Sequence, residues 1–444
     1  MNLVNRIFAV SITFLLLQTN VSADNSVKIQ TWQTTNGAKV MYVYAPQLPM
    51  VDVRIVFDAG SARDGKQPGL ARLTNTMLSK GAGDWNTDTL AERFDDIGAV
   101  FSSSAMRDSA SLSLRSLNDK ELLNTALLTL QTILTQPHFD EKEFTRMRKQ
   151  TLIALKSQLQ SPGTIANKIF YKALYNDHPY ASPTLGTETS IKTISRKDLQ
   201  TFYQRYYVAS NALIAIVGDV DLKQATQLAN KLLAKLPEGK PAPALPAVTP
   251  LRQAQIIKKT HPSTQTHILV GQPGLYRGDP DYFALYVGNH ILGGSGFGSR
   301  IMQEIREKRG LAYSSYSYFI PLRLPGPFQM GLQTSNAQRD EALALLNEIL
   351  QTFIKEGPTE KEMQHAIKNI TGGFPLRIDS NKDIIGYIVM IGFYNLPLDY
   401  LGKFNAKIEA ITAVKIQDAF ARRVHPDKLV TVMVGGDAPQ KHDD

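Results

Sequence analysis

Side chains able to ligate a metal or act as nucleophiles are few in this sequence, and their spacing is poor for either job. The eight histidines are His138, His178, His261, His267, His290, His365, His425 and His442. Two imidazoles share one helical face and one cation when they stand four residues apart, as in H-x-x-E-H, and no pair here has that separation. Cysteine is missing, which excludes disulfides, thiolate metal sites and a cysteine nucleophile. No G-x-S-x-G marks a nucleophile elbow, and single Ser and Asp residues are too common to nominate a triad. The stretch from Thr145 to Pro162 lacks any carboxylate.

The elements that would position such groups are easier to read. In "GLARLTNTMLSKGA" (69 to 82), Leu70, Leu73, Met77 and Leu78 recur at helical spacing, which predicts an amphipathic helix over 69–80 after the Pro68-Gly69 turn. Before it, Val51, Val53, Ile55 and Phe57 alternate as in a strand with one buried face, and "SASLSLRSL" (109 to 117) alternates again. Helical spacing returns over Asp84–Ile97 and Lys120–Leu134. The Ser-rich run 98–114 reads as a strand whose edge could stay open to an added peptide.

Two halves follow one plan. "ALIAIVGDVD" (212 to 221) closes the first and "LVTVMVGGDA" (429 to 438) the second; "DEKEFTRMRK" (140 to 149) has its counterpart in "TEKEMQHAIK" (359 to 368). Constant offsets at separate places indicate an internal duplication. Five prolines in the fifteen residues of "LPEGKPAPALPAVTP" (236 to 250) place a linker there, since proline continues neither a helix nor a central strand. The expected organisation is a signal segment at 1–23, an N-terminal domain at 24–235, a Pro-rich linker at 236–252 and a C-terminal domain at 253–444. The expected fold is α+β: two homologous domains, each a mainly antiparallel sheet with helices packed on one face, together forming a half-clamshell.

The order strand, "AGS" turn, Pro-Gly, "LA" and a helix ending "ML-x-KG" resembles the pitrilysin and mitochondrial processing peptidase family of zinc peptidases. In that family the helix carries H-x-x-E-H, two His for zinc and a Glu for the attacking water. Here the same positions are Arg72, Leu73, Thr74, Asn75 and Thr76. Arg72 and Thr76 stand at the two His positions and Asn75 at the Glu, and a guanidinium has no lone pair for a cation. The third ligand, a Glu on a later helix, falls in the carboxylate-free stretch. The resemblance therefore implies a degenerate metal site, with no catalytic residue and no zinc in this chain. A second segment, "LGGSGFGSRIMQEIREKRGLAYSSYSYF" (292 to 319), is similar to the family's C-terminal signature over nearly its whole length. There an Arg and a Tyr seven residues later bind a substrate carbonyl, which assigns substrate binding to Arg306, on a helix over Arg300–Lys308, and Tyr313, on the next strand. A planar guanidinium and a phenol suit that task because neither reads side chains.

The resemblance implies a subunit that is inactive alone and forms a heterodimer with a zinc-bearing homologue, holding peptide or unfolded polypeptide for its proteolysis. The alternative is a stand-alone peptide-binding or structural envelope protein. Formal charge is +9, from 49 Lys and Arg against 40 Asp and Glu, but the basic residues form no run that would mark a nucleic-acid partner. Residues 1–23 read as a secretory signal: Arg6, an apolar run from Ile7 to Leu17, then Val21-Ser22-Ala23. No later segment is apolar enough to span a membrane, so a periplasmic location is expected.

Overall fold

The computed structural model describes residues 27–436, so the expected signal segment lies outside the described residues. Two sheets form the framework. The first contains β1 (Gln30–Gln33), β2 (Lys39–Tyr44), β3 (Met50–Phe57), β4 (Val100–Ala105), β5 (Ala110–Leu117) and β6 (Ala212–Gly218), in the order β1-β2-β6-β3-β5-β4. The second contains β7 (Gln255–Thr260), β8 (Ser263–Pro273), β9 (Ala312–Phe319), β10 (Pro327–Ser335) and β11 (Val430–Gly436), in the order β7-β11-β8-β10-β9. With β1 set aside the two orders correspond strand for strand. Each sheet has one parallel pair, β2 with β6 and β7 with β11, and is otherwise antiparallel. The Ser-rich β4 and its counterpart β9 each form one edge of their sheet, with β1 and β7 at the opposite edges.

Helices begin where side chains can satisfy their free amides. Asn86, Asp119, Asp140 and Ser161 cap four helices of the first half, and Thr359 closes a capping box with Glu362 in the second. The cap at Asn86 shortens the expected 84–97 helix to Thr87–Asp95, while the Lys120–Thr135 helix runs one residue past its expected end.

The strand alternation divides each sheet between two cores. Val53, Ile55, Ile214 and Ile216 face the helices of their own half, in one cluster with Leu73, Met77, Leu130 and Ile133. On the opposite face, Met41, Leu213, Ala215 and Val217 pack with Ile384, Ile388 and Ile391 of the helix Asn381–Phe393, which comes from the second half. The exchange is reciprocal: Ala166, Phe170 and Leu174 of the helix Pro162–Tyr175 pack on Leu269, Val430, Val432 and Val434 of the second sheet. A Cβ at Gly392 would stand 2.7 Å from both Met41 Cγ and Leu213 Cδ1, so only glycine lets the incoming helix lie this close. Lys39 Nζ donates to Gly392 O at 3.0 Å and to Asn395 Oδ1 at 2.9 Å across the same junction.

The Pro-rich segment after the helix Leu222–Leu233 holds no helix or strand up to β7. It is laid along the first half instead. Ala209 N donates to Pro237 O at 2.8 Å, Arg63 Nη1 to Pro243 O at 2.6 Å, and Ala242 N to Asn211 Oδ1 at 3.0 Å.

At the junction of the halves, Asp108 is buried in the turn between β4 and β5. Its Oδ1 accepts from Tyr180 OH at 2.6 Å; its Oδ2 accepts from Arg323 N at 2.8 Å and Tyr394 OH at 3.0 Å. Burial, followed by the Asp108 charge, pushes both phenols well above their ordinary range, so both remain donors.

Candidate functional site

The helix predicted over 69–80 spans Leu70–Met77 and starts at Gly69. No adjacent side chain caps it. Asp64, five residues upstream, supplies both acceptors, with Gly69 N donating to Oδ2 and Ala71 N to Oδ1, each at 2.7 Å. Burial pushes the Asp64 carboxyl up to about 7, against the pull of those two amides. An unfolded Asp ionises near pH 4 (about 3.9), so between there and about pH 7 the folded state holds a proton that the unfolded chain has released. This group's contribution therefore leaves stability highest below pH 4, falling as pH rises to about 7 and level beyond. Across that window the slope of unfolding free energy against pH, from urea titrations, should be more positive in Asp64→Asn than in the wild type, by up to about one proton; identical slopes would refute the assignment.

On this helix Asn75 is buried, and its Nδ2 donates to Tyr207 OH at 3.1 Å and reaches Ser111 O at 3.5 Å. Tyr207 packs on Phe57, with ring centroids 4.7 Å apart. An amide thus ties the helix to β5 and to a core phenol at the position where the resemblance places a general base. Arg72 is exposed and makes no hydrogen bond or ion pair among the described residues. With half-buried Thr76 it lines a cleft of about 210 Å³ against Met147, Gln150, Thr151 and Ala154 of the helix Glu141–Gln158. A guanidinium, hydroxyls and amides do not fit a zinc ion, which takes imidazole, thiolate or carboxylate ligands. Among the described residues, no group of three or more His, Asp or Glu side chains could hold a metal.

Arg306 and Tyr313 are brought together, and by two departures from regular structure. The predicted 300–308 helix is α-helical only over Arg300–Met302 and then widens into a turn of π-helix, Gln303–Glu307, before Gly310 ends it at φ +62°. Such single π-turns inside a helix occur frequently at functional sites. Along β9, Ala312 pairs with Thr334 and Ser314 with Gln333, leaving Tyr313 as the extra residue of a β-bulge. Tyr313 is 80% exposed. The Arg306 guanidinium lies 4.3 Å from the Tyr313 ring centroid and 4.7 Å from that of Phe297, so it is held between two aromatic faces. Its Nη1 donates to Tyr313 O at 3.2 Å, and Glu307 lies 3.6 Å from Nε.

Phe297, in the Gly296–Gly298 turn and 64% exposed, was not singled out from the sequence. An aromatic inside the Gly-rich run "GGSGFGS" was the available signal. The Arg72 cleft and the Arg306 site are separate, since neither Arg306 nor Tyr313 lines that cleft.

Comparison with known proteins gives a consistent pattern. A family profile described as Insulinase (Peptidase family M16) matches residues 39–188, and one described as Peptidase M16 inactive domain matches residues 193–370. A crystal structure of a peptidase M16 inactive domain from Pseudomonas fluorescens superposes with a TM-score of 0.90 at 38% identity, covering 93% of this chain and 99% of that one. A protein of Helicobacter pylori named non-peptidase homolog YmxG is 26% identical over 420 residues, 93% of this chain and 95% of its own length. An uncharacterized zinc protease, YmxG, of Bacillus subtilis is 25% identical over 358 residues, 80% of this chain and 85% of its own length.

Proposed function

This chain belongs to the peptidase M16 family, and from that premise we propose that it is a non-catalytic member that holds peptide for a zinc-bearing homologue. The observation that carries the reading is the Arg306–Tyr313 pair. A cation clamped between two aromatic rings beside an exposed phenol is a pre-arranged donor set for a backbone carbonyl. Zinc, the attacking water and the general base belong to the partner, because Arg72, Asn75 and Thr76 cannot supply them. Donors from Arg306 and Tyr313 would grip the substrate carbonyl and stabilise charge that develops on it. The open edges of β4 and β9 offer backbone groups to an extended peptide. The name of the Helicobacter pylori relative, a non-peptidase homolog, supports a role without independent proteolysis. Residues 1–23 would export the chain, placing the pair in the periplasm.

Purified alone, the chain should neither cleave an unfolded peptide nor retain zinc after dialysis. Mixed with an M16 homologue carrying H-x-x-E-H, it should raise cleavage and co-elute as a heterodimer. Zinc-dependent cleavage by the chain alone would end this reading. Peptide binding with no effect on any homologue would favour the stand-alone binding protein.

A further inference from the structure

Beside the Arg72 cleft, the next face of the helix Glu141–Gln158 forms a second concavity with the helix Pro162–Tyr175, of about 700 Å³. Its floor includes Leu152, Ile153, Leu159 and Ile165, and Ile153 and Leu159 are each 61% exposed. Its rim carries Lys149, Lys156 and Lys168. From Phe144 to Asn176 the chain has six basic residues and no carboxylate. Three of the six are answered locally: Arg146 pairs with Glu143, Arg148 stacks on Phe144, and Lys172 donates to Asn176 O. The other three are the rim lysines, which have no ion pair among the described residues. On the far side Glu188 is already paired with Lys192.

We infer that this groove binds an acidic polypeptide segment carrying aliphatic side chains, and so selects substrates that contain such a segment. Charge complementarity identifies the occupant: three lysines without an ion pair, of which only Lys156 stands within range of the Glu188 charge, line an uncovered apolar floor, and an acidic-aliphatic chain satisfies both at once. Lys149 and Lys156 are seven residues apart on one helix, about 10.5 Å along its axis, which an extended peptide spans in three residues. An anionic bilayer fits less well, because here the aliphatic groups line a concavity between two helices with the lysines on its rim. The inference rests on the reading of the chain as a peptide holder but uses neither Arg306 nor Tyr313.

The test is fluorescence anisotropy on the full chain without a partner. The probes are a labelled short peptide of alternating Glu and Leu, the same peptide with Lys for Glu, and phosphatidylglycerol-containing vesicles. The Glu-Leu peptide should bind, weaken as salt rises, and lose about tenfold or more in affinity in a Lys149→Glu, Lys156→Glu double variant. Ile153→Asp should weaken it as well, and both sets of substitutions are at exposed positions that leave the core intact. Equal binding of the Lys-Leu peptide, or unchanged binding by the charge-reversed variant, would overturn the inference. Lysine-dependent vesicle binding without peptide binding would also overturn it. Peptide binding lost in Arg306→Ala but kept in the double variant would remove the groove and leave the Arg306 pair as the peptide site.

Discussion

Arg306→Ala should lower kcat of the reconstituted two-chain peptidase by about 10²–10³-fold, the cost of removing one preorganised donor from a developing oxyanion. The expectation comes from how Arg306 is held. Phe297 and Tyr313 fix the plane of the guanidinium, and the Tyr313 carbonyl fixes its rotation, so little reorganisation is needed when substrate arrives. Arg306→Lys should recover only part of the loss, because an ammonium keeps the charge but not the planar fork or the stacking. Tyr313→Phe removes one hydroxyl donor and should cost about tenfold. The measurement is kcat and KM with partner in excess and zinc content checked in each complex. A near-wild-type kcat in Arg306→Ala would sink the carbonyl-holding role and favour a purely structural subunit.

Asp108→Ala should destabilise the fold by about 2–4 kcal/mol, since it strands the buried Tyr180 hydroxyl and two half-buried donors, Arg323 N and Tyr394 OH, that share its carboxylate. Tyr180 OH, Tyr394 OH and Arg323 N all point at one carboxylate, and Arg323 and Tyr394 lie in the opposite half of the chain from Asp108. Asp108→Asn keeps one acceptor oxygen and should lose less. Chemical denaturation followed by far-UV circular dichroism would report both, and a loss under about 1 kcal/mol in Asp108→Ala would show that water replaces the carboxylate.

The sequence carried the local and repeated features well, because they leave periodic or compositional marks. The helix at 69–80, the alternating strands β3 and β5, and the mainly antiparallel pairs of sheets all rest on such marks. Ligand loss at Arg72, Asn75 and Thr76 was legible residue by residue. The structure adds that Asn75 has become a buried tie to Tyr207, a partner 132 positions away that no local pattern could suggest. The π-turn under Arg306 and the bulge at Tyr313 were not legible, because each is a single-residue slip whose sequence matches that of a regular element. Nor was the exchange of helices between sheets. The expected sheets carry helices on one face only, whereas β6 is buried on both faces because Asn381–Phe393 covers the second one.

That exchange reaches back to how the protein is made. The first sheet is complete in sequence at Gly218, yet the helix that seals its second face ends at Phe393. At about 5–20 residues per second, making residues 219 to 393 takes on the order of ten to thirty seconds. Throughout that interval Met41, Leu213 and Val217 have no native cover on the nascent chain. A holding chaperone should therefore be retained until the C-terminal third emerges, and a stop codon before Asn381 should yield aggregate instead of a free N-terminal half.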